Sequence, residues 1–243
     1  GVDCDTGETA PEAIAADRTV CMAAMKRGLL AFPAYDLAGE IEMVGIGLPV
    51  DFAVLEDHTQ FVLDSRWVSD RLPQRPSDSH KGTFGKALIV GGSAHYPGAP
   101  LLAGRAAFRS GAGWVELAVP ERIQQSMAAA FLEATWNPLP AEHGGLAGKS
   151  TDSLGTRLER VTAMLLGPGL GAHARAQEFV GQAVQLAEEF PLVIDAEALR
   201  HLSGISDWPS LLPAHTILTP HPGEMAALTD LSVEEIQNAR IET

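Results

Sequence analysis

From Lys86 onward, short apolar runs that close on glycine or proline alternate with stretches of helical period. The runs are KALIVGGS (86–93), WVELAVP (114–120), VTAMLLGPGLG (161–171), PLVIDAEAL (191–199) and HTILTPHPGE (215–224). Each reads as a strand ending in a turn or helix start. Between them, 99–110, 121–134 and 172–190 read as helices, the first stopped by Gly111 and Gly113, the second opened by Glu121. This alternation predicts an α/β domain: a mostly parallel sheet with helices on both faces. Ligands of such sheets bind at the carboxyl ends of the strands. The turns that follow the strands are therefore where chemistry is expected.

The chain on either side of this pattern is less regular. DSRWVSDRLPQRPSDSHKG is polar, carries two prolines and lacks a sustained apolar period, so it reads as a linker or extended crossing. Ahead of it, GVDCDTGE is turn chemistry and IEMVGIGLP (41–49) a strand. About fifty residues seldom hold a core alone, so this segment packs on the rest or is the tail of another domain. At the far end Ser232 and Glu235 have capping-box spacing and open a helix in which the pattern stops. This predicts an α/β domain incomplete at its C-terminus. The balance of 17 basic and 31 acidic residues, net −14, disfavours general binding to nucleic acid or anionic membrane. No apolar run approaches the roughly 20 residues of a membrane-spanning helix. No signal-peptide order is visible. Cys4 and Cys21 are too few for a disulfide scaffold, which favours reduced thiols and a cytoplasmic location.

Four turns carry candidate site residues. After 86–90, Gly91 and Gly92 let backbone N–H groups approach an anion, Pro100 is placed at the first position of the next helix, and Lys81 and Lys86 flank the strand. In GPGLGAHA, Gly169, Gly171 and Ala174 match G-x-G-x-x-A after a strand. The acid that would hold a ribose in that reading is Asp195, or Glu188 and Glu189 by spacing; tight helix–strand packing explains the glycines equally well. Asp195 closes an apolar strand, where it can bind hydrated Mg²⁺ or a hydroxyl, or cap the following helix. In TPHPGE two prolines frame His221, with Pro222 opening a helix and Glu224 in its first turn. His221 then binds a substrate polar group or is a satisfied turn histidine. The other histidines, among them His58, His80 and His143, lie in polar stretches and read as surface residues. Together the turns point to a nucleotide or phosphorylated ligand spread across several strand ends. No nucleophile–base pair stands out, and Ser93 and His95 lack the G-x-S-x-G elbow.

Taken in order, KGTFGKALIVGGSAHYPGAPLLAGRAAFRSGAGWVELAVP, LLGPGLG, PLVIDAEAL and TPHPGEMAAL resemble the ADP/ATP-dependent NAD(P)H-hydrate dehydratases of the ribokinase-like superfamily. The resemblance spans about 81–231. GVDCDTGE, ADRTVCMAAMKRGLLAFP and EIEMVGIGLP resemble the tail of an NAD(P)H-hydrate epimerase domain. It implies residues 1–63 as an epimerase remnant, 64–80 as linker and 81–243 as a partial dehydratase domain. The implied activity is ADP-dependent removal of water from (6S)-NAD(P)H hydrate, releasing AMP and phosphate, alongside epimerisation of the hydrate in the longer parent. Implied co-substrates and ions are ADP or ATP, Mg²⁺, and K⁺ for the epimerase; the implied assembly is a homo-oligomer. Ala99, Gly169 or Gly171, and His221 match the family's hydrate-binding positions, and Asp195 and Glu224 match polar residues of the same crevice. The family's nucleotide-binding Lys-Gly segment and the GxGD turn with its catalytic Asp would lie beyond Thr243. The epimerase phosphate loop, potassium-binding Ser and substrate Asp would lie before Gly1. The resemblance thus implies no catalytic residue in 1–243 and neither activity from this stretch alone.

Three other readings are open to the residues. One is a small-molecule kinase of the same superfamily, which shares the fold but not TPHPGE plus YPGAP. Another is a non-catalytic nucleotide-binding module. The third is a dehydrogenase built on GLGAHA, which leaves the other three motifs unexplained.

Overall fold

The structure, a computed structural model, describes residues 1–49, 60–240 and 242–243. His58 lies outside the described residues. The chain divides into two compact units, Gly1–Arg75 and Pro76–Thr243. The division falls inside the polar, proline-bearing stretch.

In the first unit, β1 (Arg18–Met22) and β2 (Glu40–Val44) pair in parallel. Cys21, Leu29 and Ala38 are buried beside them with Val2, Met25 and Ile41 packed around. This core is small, as fifty residues allow. Asp3 accepts the N–H groups of Asp5 and Thr6, closing the GVDCDTGE turn. The polar stretch expected to be extended contains one helical turn, Ser65–Ser69, because Asp64 caps it through the Trp67 N–H.

The second unit is built on six parallel strands: β3 (Lys86–Val90), β4 (Trp114–Pro120), β5 (Thr135–Leu139), β8 (Ala163–Leu166), β9 (Leu192–Ile194) and β10 (Thr216–Leu218), in the order β10-β9-β8-β3-β4-β5. A two-stranded hairpin, β6 (Ala141–Glu142) with β7 (Gly145–Leu146), follows β5. Alternation along the central strands assigns side chains to two faces. Leu88, Val90, Leu166, Leu192 and Ile194 pack with Phe179, Val180, Val184 and Leu199 from helices Ala176–Gln185 and Glu197–Ser203. Ile89, Val115, Leu117 and Val119 face the other way, against Phe131 and Leu101 and Phe108 of helix Gly98–Ser110. Each such aliphatic or aromatic side chain contributes roughly 1.5–3 kcal/mol when fully buried. Helices therefore cover both faces, as the alternation requires.

Several elements depart from expectation. The helix expected over 121–134 ends at Ala128. Phe131 turns inward, 4% exposed, and meets Phe108 edge-on at 5.8 Å. The chain then joins β4 as β5, an outer strand that tolerates Pro138. Helix 172–190 shortens to 176–185. The helix Lys149–Gly155 was not foreseen; its period is hidden by Ser, Thr and Asp. Pro100 is the third helical residue rather than the first, because Pro97 takes the N-cap. No described helix is long and apolar enough to cross a membrane.

Candidate functional site

The order of the strands creates the site. The chain goes from β3 outward to β4 and β5, then returns to the far side of β3 as β8. The turns after β3 and β8 therefore diverge at a switch point, where open α/β sheets bind ligands. Because β3, β8, β9 and β10 are parallel neighbours, Gly91–Pro97, Gly167–Gly171, Asp195 and Thr219–His221 share one rim. All six predicted residues lie on or just after these turns.

The first two turns touch through their main chains. Gly92 N–H donates to Pro168 O at 2.8 Å, and Gly167 N–H to Val90 O at 3.0 Å. A Cβ on Gly91 would sit 2.3 Å from Pro168 O. Gly169, at φ +75°, leaves a Cβ no room: Tyr96 O would be 2.5 Å away and the Ala99 Cβ 3.0 Å. Ala99 and Gly169 are thus neighbours. Gly171, at φ +78°, would direct a Cβ to 3.2 Å from Ser93 Oγ. That hydroxyl is buried without a hydrogen-bond partner.

Asp195 is half-buried and is not a helix cap. The N-cap position is Ala196, held at φ +55°, ψ −133°. Asp195 Oδ1 instead accepts from Thr219 Oγ1 at 2.9 Å, tying the β9 turn to the β10 turn. A non-glycine residue in this region carries strain of order 1–3 kcal/mol, and such strain clusters at functional sites.

His221 caps helix Pro222–Leu228. Its Nδ1 accepts from Gly223 N–H at 3.0 Å and Glu224 N–H at 3.3 Å. The imidazole proton therefore sits on Nε2, which points at Glu224 Oε1, 3.2 Å away. Glu224 Oε2 accepts the His221 backbone N–H at 3.0 Å. Glu224 is 7% exposed, so it braces His221 from behind, whereas the His221 ring is 58% exposed.

The lysines expected to flank an anion do not reach this rim. Lys86 opens β3 at the opposite end, where Nζ pairs with Glu116 at 2.6 Å, both side chains buried. Lys81 lies just before β3, over the Trp114 ring at 5.6 Å. Glu188 and Glu189 are exposed in the turn before β9, also at the far end, and cannot meet a ribose at the switch point.

The reading of the other histidines as surface residues fails for two of them beside the site, which the fold packs together as partly buried side chains. His173 packs its ring 6.5 Å from that of His201, and its Nε2 is buried against Gly145 with no partner. Burial first, then His201 and His143, hold the His173 imidazole below its ordinary value. The fold therefore keeps His173 neutral while the unfolded chain protonates near pH 6.5. Its contribution to stability is complete above that pH and is lost as pH falls through the lowered folded value. Thermal melts from pH 7 to pH 5 are expected to show a smaller loss of Tm in His173→Leu than in the wild type. Equal losses would remove His173 from the acid response.

Parallel strands with glycine turns meeting at a switch point define an open α/β protein of ligand-binding type, and its likeness to solved structures is to the ribokinase-like class. Solved structures agree: a ribokinase-like superfamily protein from Enterococcus faecalis aligns with TM-score 0.60 and 28% identity, over 73% of this chain and 61% of that one. An ADP/ATP-dependent NAD(P)H-hydrate dehydratase from Bacillus subtilis, co-crystallised with ATP and Mg²⁺, aligns with TM-score 0.57 and 32% identity, over 73% and 58%. Residues 87–243 match the family model described as NAD(P)H-hydrate dehydratase, and the chain belongs to that family. Bifunctional NAD(P)H-hydrate repair enzymes from Moorella thermoacetica and Salinibacter ruber are 36% and 37% identical over 100% and 94% of the chain. The chain spans 46% and 43% of their lengths, about half.

Proposed function

We propose that this chain supplies the hydrate-binding part of an ADP-dependent NAD(P)H-hydrate dehydratase. The observation that carries the reading is the juxtaposition of Ala99, Gly169 and Gly171 at the switch point, with Asp195 and His221 on the same rim. In this reading the glycine turns admit the dinucleotide close to the main chain. The exposed His221 ring, its nitrogens held by the helix cap and Glu224, presents its face to the hydrate, and Asp195 with Thr219 lines the floor. ADP phosphorylates the hydrate hydroxyl and leaves as AMP (ATP would leave as ADP); the new phosphate ester and a proton on the neighbouring ring carbon are then eliminated, restoring the ring double bond of NAD(P)H. Positioning and electrostatics carry such phosphoryl transfers.

In the longer protein, residues 1–63 would belong to an NAD(P)H-hydrate epimerase domain, 64–80 to a linker and 81–243 to the dehydratase. The partners are the hydrate and the nucleotide, in a homo-oligomer acting in the cytoplasm. Among the described residues no group of three or more His, Cys, Asp or Glu could hold a metal ion. Mg²⁺ would be carried by the nucleotide phosphates, as is usual for this ion, and K⁺ belongs to the epimerase.

Calorimetry of the 243-residue chain with NADH hydrate tests the reading. Saturable binding is expected, weakened about tenfold in His221→Ala, which removes the exposed ring and the two cap bonds that fix this turn. Absence of binding, or equal binding by the variant, would overturn it. Binding of vitamin alcohols in place of the hydrate would favour a small-molecule kinase.

A further inference from the structure

The Gly167–Gly171 turn holds three glycines at positive φ, +129°, +75° and +78°. Glycine has the largest conformational freedom to lose, so a turn of this make-up needs outside ties to keep one shape. At its first half the ties are main-chain bonds to Val90 and Gly92, and Leu170 N–H closes on Gly167 O at 3.1 Å. At its second half, Gly171 O lies 2.9 Å from His201 Nε2. A carbonyl oxygen only accepts, so Nε2 carries the proton and donates.

His201 is well placed to hold that carbonyl still. It is half-buried in helix Glu197–Ser203, whose Ala198, Leu199 and Leu202 are fully buried in the core. The His173 ring stands beside it, 6.5 Å between centroids. The contact therefore joins a rigid element to the most adaptable part of the rim.

We infer that His201 is a positioning residue: its Nε2–H anchors the Gly171 carbonyl and sets the shape of Gly169–Gly171 that receives the ligand. The inference rests on the proposed hydrate-binding role of that turn. It does not require His201 to touch the ligand.

The test compares His201→Ala and His201→Gln with the wild type, reading NADH-hydrate affinity, Tm and exchange of the turn's hydrogen-bonded amides at Gly167 and Leu170. The glutamine amide can donate from nearly the same place as Nε2. His201→Ala is expected to bind about tenfold more weakly and to exchange about tenfold faster at the Gly167 and Leu170 amides, as loosening of the turn by loss of one hydrogen bond predicts. His201→Gln is expected to recover most of both. Unchanged affinity and exchange in His201→Ala would overturn the inference. So would a loss that glutamine does not rescue and that tracks a fall in Tm, which marks a purely structural role. If the wild type binds no hydrate, the proposed function fails, and the anchoring claim is still decided by exchange at the Gly167 and Leu170 amides.

Discussion

Replacing Gly167 with alanine is expected to destabilise the second unit by more than about 3 kcal/mol and to abolish hydrate binding. Gly167 sits at φ +129°, which disfavours any Cβ, and the added atom would fall 1.8 Å from Asp195 O and 2.8 Å from the Ala198 Cβ. Neither neighbour can step aside. The Asp195 N–H is bonded to Leu166 O, and Ala198 is fully buried. The strain spreads to the turns after β8 and β9 together. Gly155→Ala is the control: its Cβ would meet only Leu186, at 3.8 Å, in ordinary contact. That change should leave Tm within a few degrees, or raise it, since alanine exceeds glycine by about 1 kcal/mol in helices. A Gly167→Ala protein that melts like the wild type would show that the turn does not have the described geometry.

A second large effect is expected at the other end of the sheet. Lys86 and Glu116 are 7% and 6% exposed and 2.6 Å apart, and Lys86 Nζ also meets the carbonyls of Arg157 and Glu159 at 3.4 and 3.5 Å. Removing one partner strands a buried charge, at a cost of about 3–5 kcal/mol. A domain with only 5–15 kcal/mol in reserve is then close to unfolding. Lys86→Met alone is therefore expected to lower the denaturation midpoint severely. Lys86→Met with Glu116→Leu should recover most of the loss, because an apolar pair of similar volume carries no desolvation cost. If the double variant is as unstable as the single one, the pair itself, rather than the stranded carboxylate, provides the stability.

The strand runs were legible because their apolar residues are packed on both faces and end on glycine or proline. Leu88, Val90 and Ile89 show this directly, since each is buried yet they divide between two cores. β5 was not legible. TWNPL has a proline and an asparagine, and only its outer position in the sheet lets it pair at all. The rim itself could be placed from the order of strands and turns, which is why Ala99, Gly169, Gly171, Asp195 and His221 fall together. What the order could not reveal was how side chains divide the labour. Lys86 looked like an anion ligand but points to the opposite end of the sheet. Glu224 looked like a wall of the crevice but is committed to His221. His173 and His201 carry no local signal. They matter only because the hairpin β6–β7 and the helix after β9 fold onto the Gly171 turn, a contact between residues far apart in the chain.

The close approach of Pro168 to Gly91, and of Tyr96 to Gly169, means that the floor of the crevice is largely peptide. Peptide is the same whatever residue the codon names, so mutation can damage this floor but cannot retune it. Under the proposed function, selection for a different cargo would have to act on exposed side chains at this rim, such as His95, Tyr96 and His221. An engineer seeking altered specificity should randomise those positions and leave the glycines untouched.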